Sequence, residues 1–268
     1  MNTQISLIIA VYKNTENLRL ILKALFQQSF QDFEVIIAED NEGEAMRNFV
    51  QEIENVLPFP LKHIAQADEG FRKDMALNKA VAIAEADYLV FIDGDCVPHK
   101  HFLKAHFSNR QEGTALYGRR VMLSEKQTKT LLKTQDLEEL TFFKMLLNRA
   151  ERLDCAMYLP FMPESRKNAK TGIWGCNWSI HKKYLLAVNG FDEDYELPGF
   201  GEDVDIEWRL LATGVQLRFI KFKAIQYHLY HALNYTDTQV NERLLNKKKS
   251  ENKVFCEQGL DKYLLSQG

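Results

Sequence analysis

The chain has 268 residues, of which 46% are hydrophobic and 26% charged, with a formal net charge of −3. This composition suits a large buried core, and the near-neutral charge argues against binding to nucleic acid. No segment approaches the ~20 consecutive apolar residues that a transmembrane helix needs. The cysteines lack the paired spacing of a zinc site and indicate a reducing cytoplasm: Cys96, Cys155, Cys176 and Cys256.

The first part of the chain alternates predicted strands and helices. Ile5 to Val11 is an aliphatic run typical of a strand buried on both faces, and a one-sided helix follows it. Further strands are predicted at 33–38, 61–65 and 88–93, with an alanine-rich helix at 75–86. This alternation predicts an α/β fold with a mixed, mainly parallel sheet flanked by helices. Ligands bind beyond the carboxyl ends of such strands.

The second part is less regular. We expect a strand within 115–122, a helical stretch at 125–153, a loop at 158–170, and short strands at 217–220 and 224–227. From Thr238 the chain is predicted to be a polar helix. No repeat or low-complexity linker divides the chain, so we expect one domain at 1–235, with halves at 1–107 and 108–235, and a helical appendage at 236–268. The run 247–249 (KKK) could contact an anionic membrane surface or form a solvated helix face.

Two carboxylates end the predicted strand YLVFID. Asp93 and Asp95, separated by Gly94, could bind a divalent cation and the phosphates it carries, or could form an ordinary polar turn. A third possibility is the first motif of haloacid-dehalogenase-like phosphatases, in which Asp93 would be the nucleophile. In those phosphatases the motif lies at the start of the fold, near the N-terminus. Two βα units precede it here, which counts against the phosphatase.

Acidic residues and histidines recur late in the chain. Four carboxylates crowd the start of a predicted helix after Gly-Phe-Gly: Glu202, Asp203, Asp205 and Glu207. The helix macrodipole accounts for one or two of them, and another could act as a general base. His228 and His231 follow a late strand and could complete a metal site, although a single histidine is more often structural.

Two further groups could contact ligands. Residues 70–73 (GFRK), together with Asn78, could meet the phosphate or base of a nucleotide, or could lie on the surface. Trp174 and Asn177 stand beside Trp178 in an aromatic patch that could stack on a sugar ring or belong to the core.

The order of these motifs resembles an inverting, metal-dependent glycosyltransferase of family 2 with the Rossmann-like GT-A fold. The resemblance runs from Ile5 to about His231. It rests on SLIIAVYKNTENLRLILKALFQQSFQDFEVIIAEDN, on the Asn78 helix leading into FIDGDC, and on GFGEDVDIEWRLLATG. The second half is also similar to the C-terminal part of β-1,4-galactosyltransferases and of chondroitin-type polymerases, in which a Gly-rich loop precedes a Glu-Asp pair.

The resemblance implies a donor site for a UDP-sugar and for Mn²⁺ or Mg²⁺. Asp93 would contact the ribose or a metal-bound water, and Asp95 would bind the metal directly, with His228 preferred over His231 as the late ligand. Cys96 stands where many members of the family have a third acid. The implied nucleotide-binding residues are Ala10, Tyr12, Asp40, Arg72, Asn78, Asp93 and Asp95.

The resemblance also implies an acceptor site. Asp203 would be the catalytic base and Glu202 its acceptor-binding neighbour, with Trp174 and Asn177 at the sugar end of the cleft. The implied reaction moves a hexose or N-acetylhexosamine from a UDP-sugar to a hydroxyl of a glycan or lipid-linked acceptor in bacterial polysaccharide or cell-surface glycan synthesis. We expect a cytoplasmic enzyme, either free or in peripheral contact with the inner membrane surface. Two competing interpretations are a haloacid-dehalogenase-like phosphatase and a non-catalytic nucleotide-sugar-binding protein.

Overall fold

The computed structural model describes residues 3–163, 172–232 and 238–264, together with the backbone of 165 and 166. The described strands are β1 (Ile5–Val11), β2 (Phe33–Glu39), β3 (Leu61–Ala65), β4 (Tyr88–Asp93), β5 (Cys96–Pro98), β6 (Thr114–Tyr117), β7 (Val121–Met122), β8 (Ser165–Arg166), β9 (Trp178–His181), β10 (Gln216–Phe219) and β11 (Gln226–His228). The described helices are α1 (Thr15–Phe26), α2 (Glu44–Ile53), α3 (Lys73–Ile83), α4 (Phe102–Asn109), α5 (Glu125–Thr134), α6 (Phe142–Leu147), α7 (Lys182–Leu186), α8 (Glu202–Ala212), α9 (Gln239–Ser250) and α10 (Asp261–Leu264).

The main sheet has the order β3-β2-β1-β4-β9-β6-β10-β8, and a small sheet has the order β5-β11-β7. Strands β1 to β4 pair in parallel, as do β6 and β10. Strand β9 lies antiparallel between β4 and β6. The predicted mixed, mainly parallel α/β fold is therefore confirmed.

Both faces of the main sheet are covered, which explains why β1 is aliphatic throughout. Leu7 and Ile9 belong to the core that includes α1, whereas Ile8 faces the core that includes α3. Asn14 caps α1 by accepting a hydrogen bond from the Asn17 amide (2.9 Å). These layers fix the carboxyl ends of β1 and β4 side by side.

The irregular second part differs from the predictions in several places. The predicted strand 115–122 divides into β6, in the main sheet, and β7, in the small sheet. The predicted helix 125–153 is interrupted by Gln135, whose backbone is left-handed (φ 52°), and by a 3₁₀ turn at 137–140. Of the predicted loop 158–170, residues 158–163 are irregular, 165–166 form β8, and the others lie outside the described residues.

The segment after 238 packs closely against the rest of the fold. The Asn241 amide donates to the carbonyl oxygens of Leu197 (2.8 Å) and Phe200 (2.5 Å), and Leu260 is fully buried in the α3-side core. Lys248 is buried and pairs with Asp192 and Asp194. The three-lysine run is therefore not a continuous solvated or membrane-facing surface, because its middle lysine points inward. No helix among the described residues is long and apolar enough to cross a membrane.

Candidate functional site

A cavity of about 690 Å³ opens at the carboxyl ends of β1 and β4. The Gly94 amide donates to the Ala10 carbonyl oxygen (2.7 Å), and a Cβ at Gly94 would lie 2.9 Å from the same oxygen. Only glycine therefore lets the two strand ends approach so closely. Six residues predicted to form the donor and metal site line this cavity: Ala10, Tyr12, Asp40, Asp93, Asp95 and His231.

Asp95 lies within a group of potential metal ligands. The Nε2 atoms of His228 and His231 are each 3.2 Å from Asp95 Oδ2, and the three donor atoms lie within 4.8 Å of one another. Burial would raise the pKa of Asp95, but the neighbouring imidazoles of His228 and His231 outweigh it and hold the pKa well below its usual range.

These residues fit a divalent cation. The His228 side chain is 3% exposed, and neither of its ring nitrogens has a hydrogen-bond partner among the described residues. A buried imidazole with an unsatisfied nitrogen beside a carboxylate is a suitable ligand for Mn²⁺ or similar ions. His228 and His231 are equally close to Asp95, so the geometry leaves the choice between them open.

Cys96 is fully buried next to Asp95, at the position where the family resemblance implies a third acid. Its thiol donates to Asp95 Oδ1 (3.0 Å), and its sulfur lies near that of Cys176. Burial raises the pKa of the Cys96 thiol well above its ordinary value, so the side chain stays neutral. Cys96 therefore orients the Asp95 carboxylate as a hydrogen-bond donor, which an acid in its ionised form could not do.

Asp40 connects the cavity to the loop before α3. Its carboxylate accepts hydrogen bonds from the Arg72 amide (2.7 Å) and from Gln66 Nε2 (2.7 Å). The Arg72 side chain turns away toward Glu196, at 3.2 Å, and it is not among the residues that line the cavity. Asp40 therefore holds the shape of the 66–72 loop beside the cavity, and Arg72 contributes its backbone rather than its guanidinium.

Helix α8 begins where the predicted base lies. Gly201 has φ 130°, and a Cβ there would lie 2.5 Å from the Tyr195 ring, so glycine is needed to start the helix at Glu202. Lys73 Nζ lies 2.8 Å from Asp93 Oδ1 and 3.8 Å from Glu202 Oε1. Lys73 therefore connects the end of β4 to the start of α8.

Asp203 has the electrostatics of a general base. Burial and the neighbouring Glu202 charge raise the pKa of Asp203 to about 7, although the Lys73 charge and the nearby Gly175 amide oppose them. A carboxylate with a pKa near neutrality can accept a proton at physiological pH and pass it on. The helix macrodipole, by contrast, would favour the ionised form.

Two predicted ligand-binding residues are buried. Asn78 is fully buried and bonds to both backbone groups of Phe191 (2.8 Å each) and to Glu193 (2.9 Å). Asn177 is also fully buried, and its amide donates to the carbonyl oxygens of Arg119 and Ala224 (3.1 Å each). Their side chains join segments of the fold, so neither is placed to touch a ligand in this structure.

Trp174 is partly exposed and is surrounded by arginines. The Arg119 and Arg152 Cζ atoms lie 4.4 Å and 4.7 Å from its ring centroid, and that of Arg120 lies at 5.9 Å. The sequence patterns did not single out these arginines. They also gave Lys73 no role of its own, because it was considered only as part of the GFRK segment. The Arg119-Arg120 pair inside the predicted strand 115–122 was a usable signal, because two adjacent charges mark the end of a buried strand, where ligands commonly bind.

Comparisons with known proteins bear on the family and the fold of the chain. The chain matches glycosyl transferase family 2 over residues 6–185 and the N-terminal domain of galactosyltransferase over residues 157–232. Its fold is similar to that of GalNAc-T7 with UDP, GalNAc and Mn²⁺ (TM-score 0.66, 12% identity, 93% of this chain and 49% of the other). It is also similar to that of residues 1–349 of S. aureus TarS (TM-score 0.60, 14% identity, 97% and 68%).

Curated relatives are longer proteins. Chondroitin synthase of Escherichia coli is 25% identical over 247 residues, which cover 84% of this chain and 34% of the relative. Validoxylamine A glucosyltransferase of Streptomyces hygroscopicus subsp. jinggangensis is 26% identical over 233 residues, which cover 80% and 52%. The chain thus spans about a third to a half of these relatives. Because the match to the family 2 model, over residues 6–185, covers well over half of the sequence, the chain belongs to glycosyl transferase family 2.

Proposed function

We propose that the protein transfers a hexose or N-acetylhexosamine from a UDP-sugar to a hydroxyl group of a glycan or lipid-linked acceptor, with inversion, in bacterial polysaccharide or cell-surface glycan synthesis. The observation that carries this proposal is the contact of Lys73 with both Asp93 and Glu202. That contact brings the metal-suited end of β4 and the candidate base on α8 into one charged network. Membership of glycosyl transferase family 2 supports the same reaction class and disfavours a phosphatase.

The nucleotide would occupy the cavity at the end of β1. Tyr12 is 55% exposed and offers an aromatic face for the base, and Asp40 at the cavity wall offers carboxylate oxygens for the base or ribose. The cavity is large enough for a nucleotide-sized ligand. GalNAc-T7, whose fold is similar, was solved with UDP and Mn²⁺, which supports a nucleotide-sugar donor here.

Asp95, His228 and His231 would hold Mn²⁺ or Mg²⁺. When bound there, such an ion supplies positive charge that stabilises the departing diphosphate. The chain adds fixed charge of its own, since Lys73 and Arg120 both face Asp93, at 2.8 Å and 3.7 Å. These cations reduce the repulsion between the carboxylates and an incoming diphosphate.

Asp203 would remove the proton from the acceptor hydroxyl. The hydroxyl oxygen then forms a bond to the anomeric carbon on one face while the bond to the diphosphate breaks on the other, so the anomeric centre inverts. Glu202 raises the basicity of Asp203 and would contact the acceptor. We place this reaction in the cytoplasm, with the enzyme free or in peripheral contact with the inner membrane surface. All four cysteines are buried and unbridged, in keeping with a reducing compartment.

The proposal is tested by incubating the protein with individual UDP-sugars and Mn²⁺ and measuring UDP release with and without candidate acceptors. We expect UDP release that rises with acceptor and is lost when EDTA removes the metal. Release of inorganic phosphate without UDP would instead identify a phosphatase. Tight UDP-sugar binding without any turnover across the donor and acceptor panel would identify a non-catalytic binding protein.

A further inference from the structure

Two of the three arginines around Trp174, Arg119 and Arg152, are not needed to explain the donor site. The Arg119, Arg152 and Arg120 side chains gather on one indole ring, with the Cζ atoms of Arg119 and Arg152 at 4.4 Å and 4.7 Å from its centroid. Arg119 is 6% exposed and also lies 5.2 Å from the rings of Tyr117 and Phe219. An aromatic setting stabilises a guanidinium but does not neutralise its charge.

The cluster carries more positive charge than the carboxylates of the described residues balance. In the described ranges, Arg120 faces Asp93 at 3.7 Å, whereas neither Arg119 nor Arg152 has a carboxylate within ion-pair distance. Asp154, close in sequence, is paired with Lys221. Burial lowers the pKa of Arg119, and the charge of Arg152 lowers it further. The protein therefore keeps two like charges together at a cost that a bound anion would offset.

The position of the cluster connects it to the candidate base. The Gly175 amide, directly after Trp174, is close enough to Asp203 to lower its pKa. The Ile173 amide, directly before Trp174, donates to Glu207 Oε2 on the same helix. The segment that carries Trp174 is thus joined to α8 through Ile173 and passes beside Asp203 at Gly175, which places the arginines of Trp174 on the Asp203 side of the fold.

We propose that the acceptor carries an anionic group, a carboxylate or a phosphate, which Arg119 and Arg152 bind beside Trp174 while a hydroxyl faces Asp203. This proposal rests on the glycosyl transfer proposed above. The planar guanidinium presents paired N–H donors that match both carboxylate and phosphate oxygens. A neutral glycan would leave the two guanidinium charges unbalanced.

The first test compares acceptors that differ only in charge. A neutral oligosaccharide, the same oligosaccharide oxidised to a carboxylate at C6, and the same oligosaccharide phosphorylated at C6 are assayed for UDP release at low and high salt. We expect kcat/KM to be about 10-fold or more higher for one or both charged acceptors, with an advantage that shrinks as salt rises. Whichever charged form is preferred identifies the source of the anion. Equal use of all three would overturn the proposal.

The second test assigns the preference to the cluster. Arg152→Gln removes an exposed guanidinium, and we expect it to reduce the charged-to-neutral ratio of kcat/KM by about 10-fold, mainly through KM. Arg19→Gln is the matched control, because Arg19 is exposed and its Cζ also lies 4.7 Å from an aromatic ring, that of Phe49. A ratio unchanged in Arg152→Gln, or reduced as strongly in Arg19→Gln, would contradict the assignment.

A binding measurement separates this proposal from the one on which it rests. Ligand-observed NMR with the carboxylated oligosaccharide and the whole chain, without donor, reports the anion site even if no UDP-sugar is turned over. Binding that is reduced in Arg152→Gln would support the anion site whether or not transfer occurs. UDP release that shows no charge preference, with no binding of the oligosaccharide, would refute the anionic acceptor and leave glycosyl transfer intact.

Discussion

Lys73 and Asp93 form an ion pair between the first residue of α3 and the last residue of β4, with Nζ 2.8 Å from Oδ1. Burial opposes the charge on Lys73, but the carboxylates of Asp93 and Glu202 outweigh it and raise the pKa of Lys73 above its ordinary value. Lys73 therefore remains a fixed cation at neutral pH. It stands between the donor cavity and the candidate base.

Replacing Lys73 by methionine should change the pH dependence of turnover. The Lys73 charge lowers the pKa of Asp203, so its loss should raise that pKa further above about 7. Because only the ionised carboxylate accepts a proton, the acid limb of kcat against pH should move to higher pH. A pH–rate profile of Lys73→Met checks this. Lys183→Met, which removes an exposed lysine paired with Glu112, should leave the profile unchanged, and an acid limb unmoved in Lys73→Met would contradict the assignment.

Asp203→Asn should abolish proton removal while keeping donor binding. We expect kcat for transfer to fall by ~10²–10⁴-fold, with the Kd for UDP and Mn²⁺ changed little, because Asp203 does not line the nucleotide cavity. Single-turnover transfer and calorimetric titration with UDP provide the two measurements. Asp32→Asn, at an exposed loop position, serves as the control. Near-full turnover in Asp203→Asn would rule out the base.

The two histidines near Asp95 can be separated by metal titration. Each Nε2 lies 3.2 Å from the same carboxylate oxygen, so His228→Gln and His231→Gln should each weaken Mn²⁺ binding by about 10-fold or more. Free Mn²⁺ measured by electron paramagnetic resonance reports the affinity directly. His63→Gln is a matched control, because His63 also contacts a carboxylate, that of Glu39, at 2.9 Å. A loss confined to one variant would assign the ligand to that histidine alone.

Asn177→Ala should lower stability. Its amide donates to the buried carbonyl oxygens of Arg119 and Ala224, which would lose these partners, at a cost of ~1–3 kcal/mol. Thermal unfolding should show a Tm several degrees lower than in the exposed-site control Asn246→Ala. An unchanged Tm with a raised acceptor KM would instead return Asn177 to the acceptor site that the family resemblance implies for it.

Asp74 offers a test based on stability and pH. Burial, with the charge of Glu202, raises the pKa of Asp74 well above its ordinary value, and neither carboxylate oxygen has a partner among the described residues. The folded state therefore binds a proton more tightly than the unfolded state, and this contribution to stability is lost as pH rises. Asp74→Asn should raise Tm relative to the wild type more at pH 8 than at pH 5, by about 2–4 °C if ~1 kcal/mol is recovered. The exposed-site variant Asp87→Asn should show no such difference, and an equal change at both pH values in Asp74→Asn would refute the argument.

The first part of the fold, in which strands and helices alternate, was predictable because the local hydrophobic pattern of each element matches its burial in the structure. The run from Ile5 to Val11 has to be buried on both faces, and the sheet provides this. The later half depends on distant partners: Trp178 begins a strand only because it inserts beside Phe91, with ring centroids 4.5 Å apart. No local periodicity marks such a four-residue strand.

Part of the candidate site could be proposed from the sequence. Asp93, Asp95 and Asp203 could be proposed from strand ends and a helix start, where polar groups converge. The burial of Asn78 and Asn177 could not be predicted from the sequence. A side-chain amide can hydrogen-bond a ligand or a backbone carbonyl equally well, and only the surrounding structure decides between them. The arginines around Trp174 were missed for a related reason, since residues 119, 152 and 174 meet only in three dimensions.

The antiparallel insertion of β9 also affects how the chain reaches its native state. During synthesis β1, β2, β3 and β4 can pair soon after they emerge, but β4 must wait for residues 178–181 and until then has an open edge. Slow closure of such long-range pairs exposes an aggregation-prone strand. Fragments that stop before residue 178 should therefore be recovered mostly as insoluble material. In the whole chain, β9 pairs with the open edge of β4, the strand that ends at Asp93.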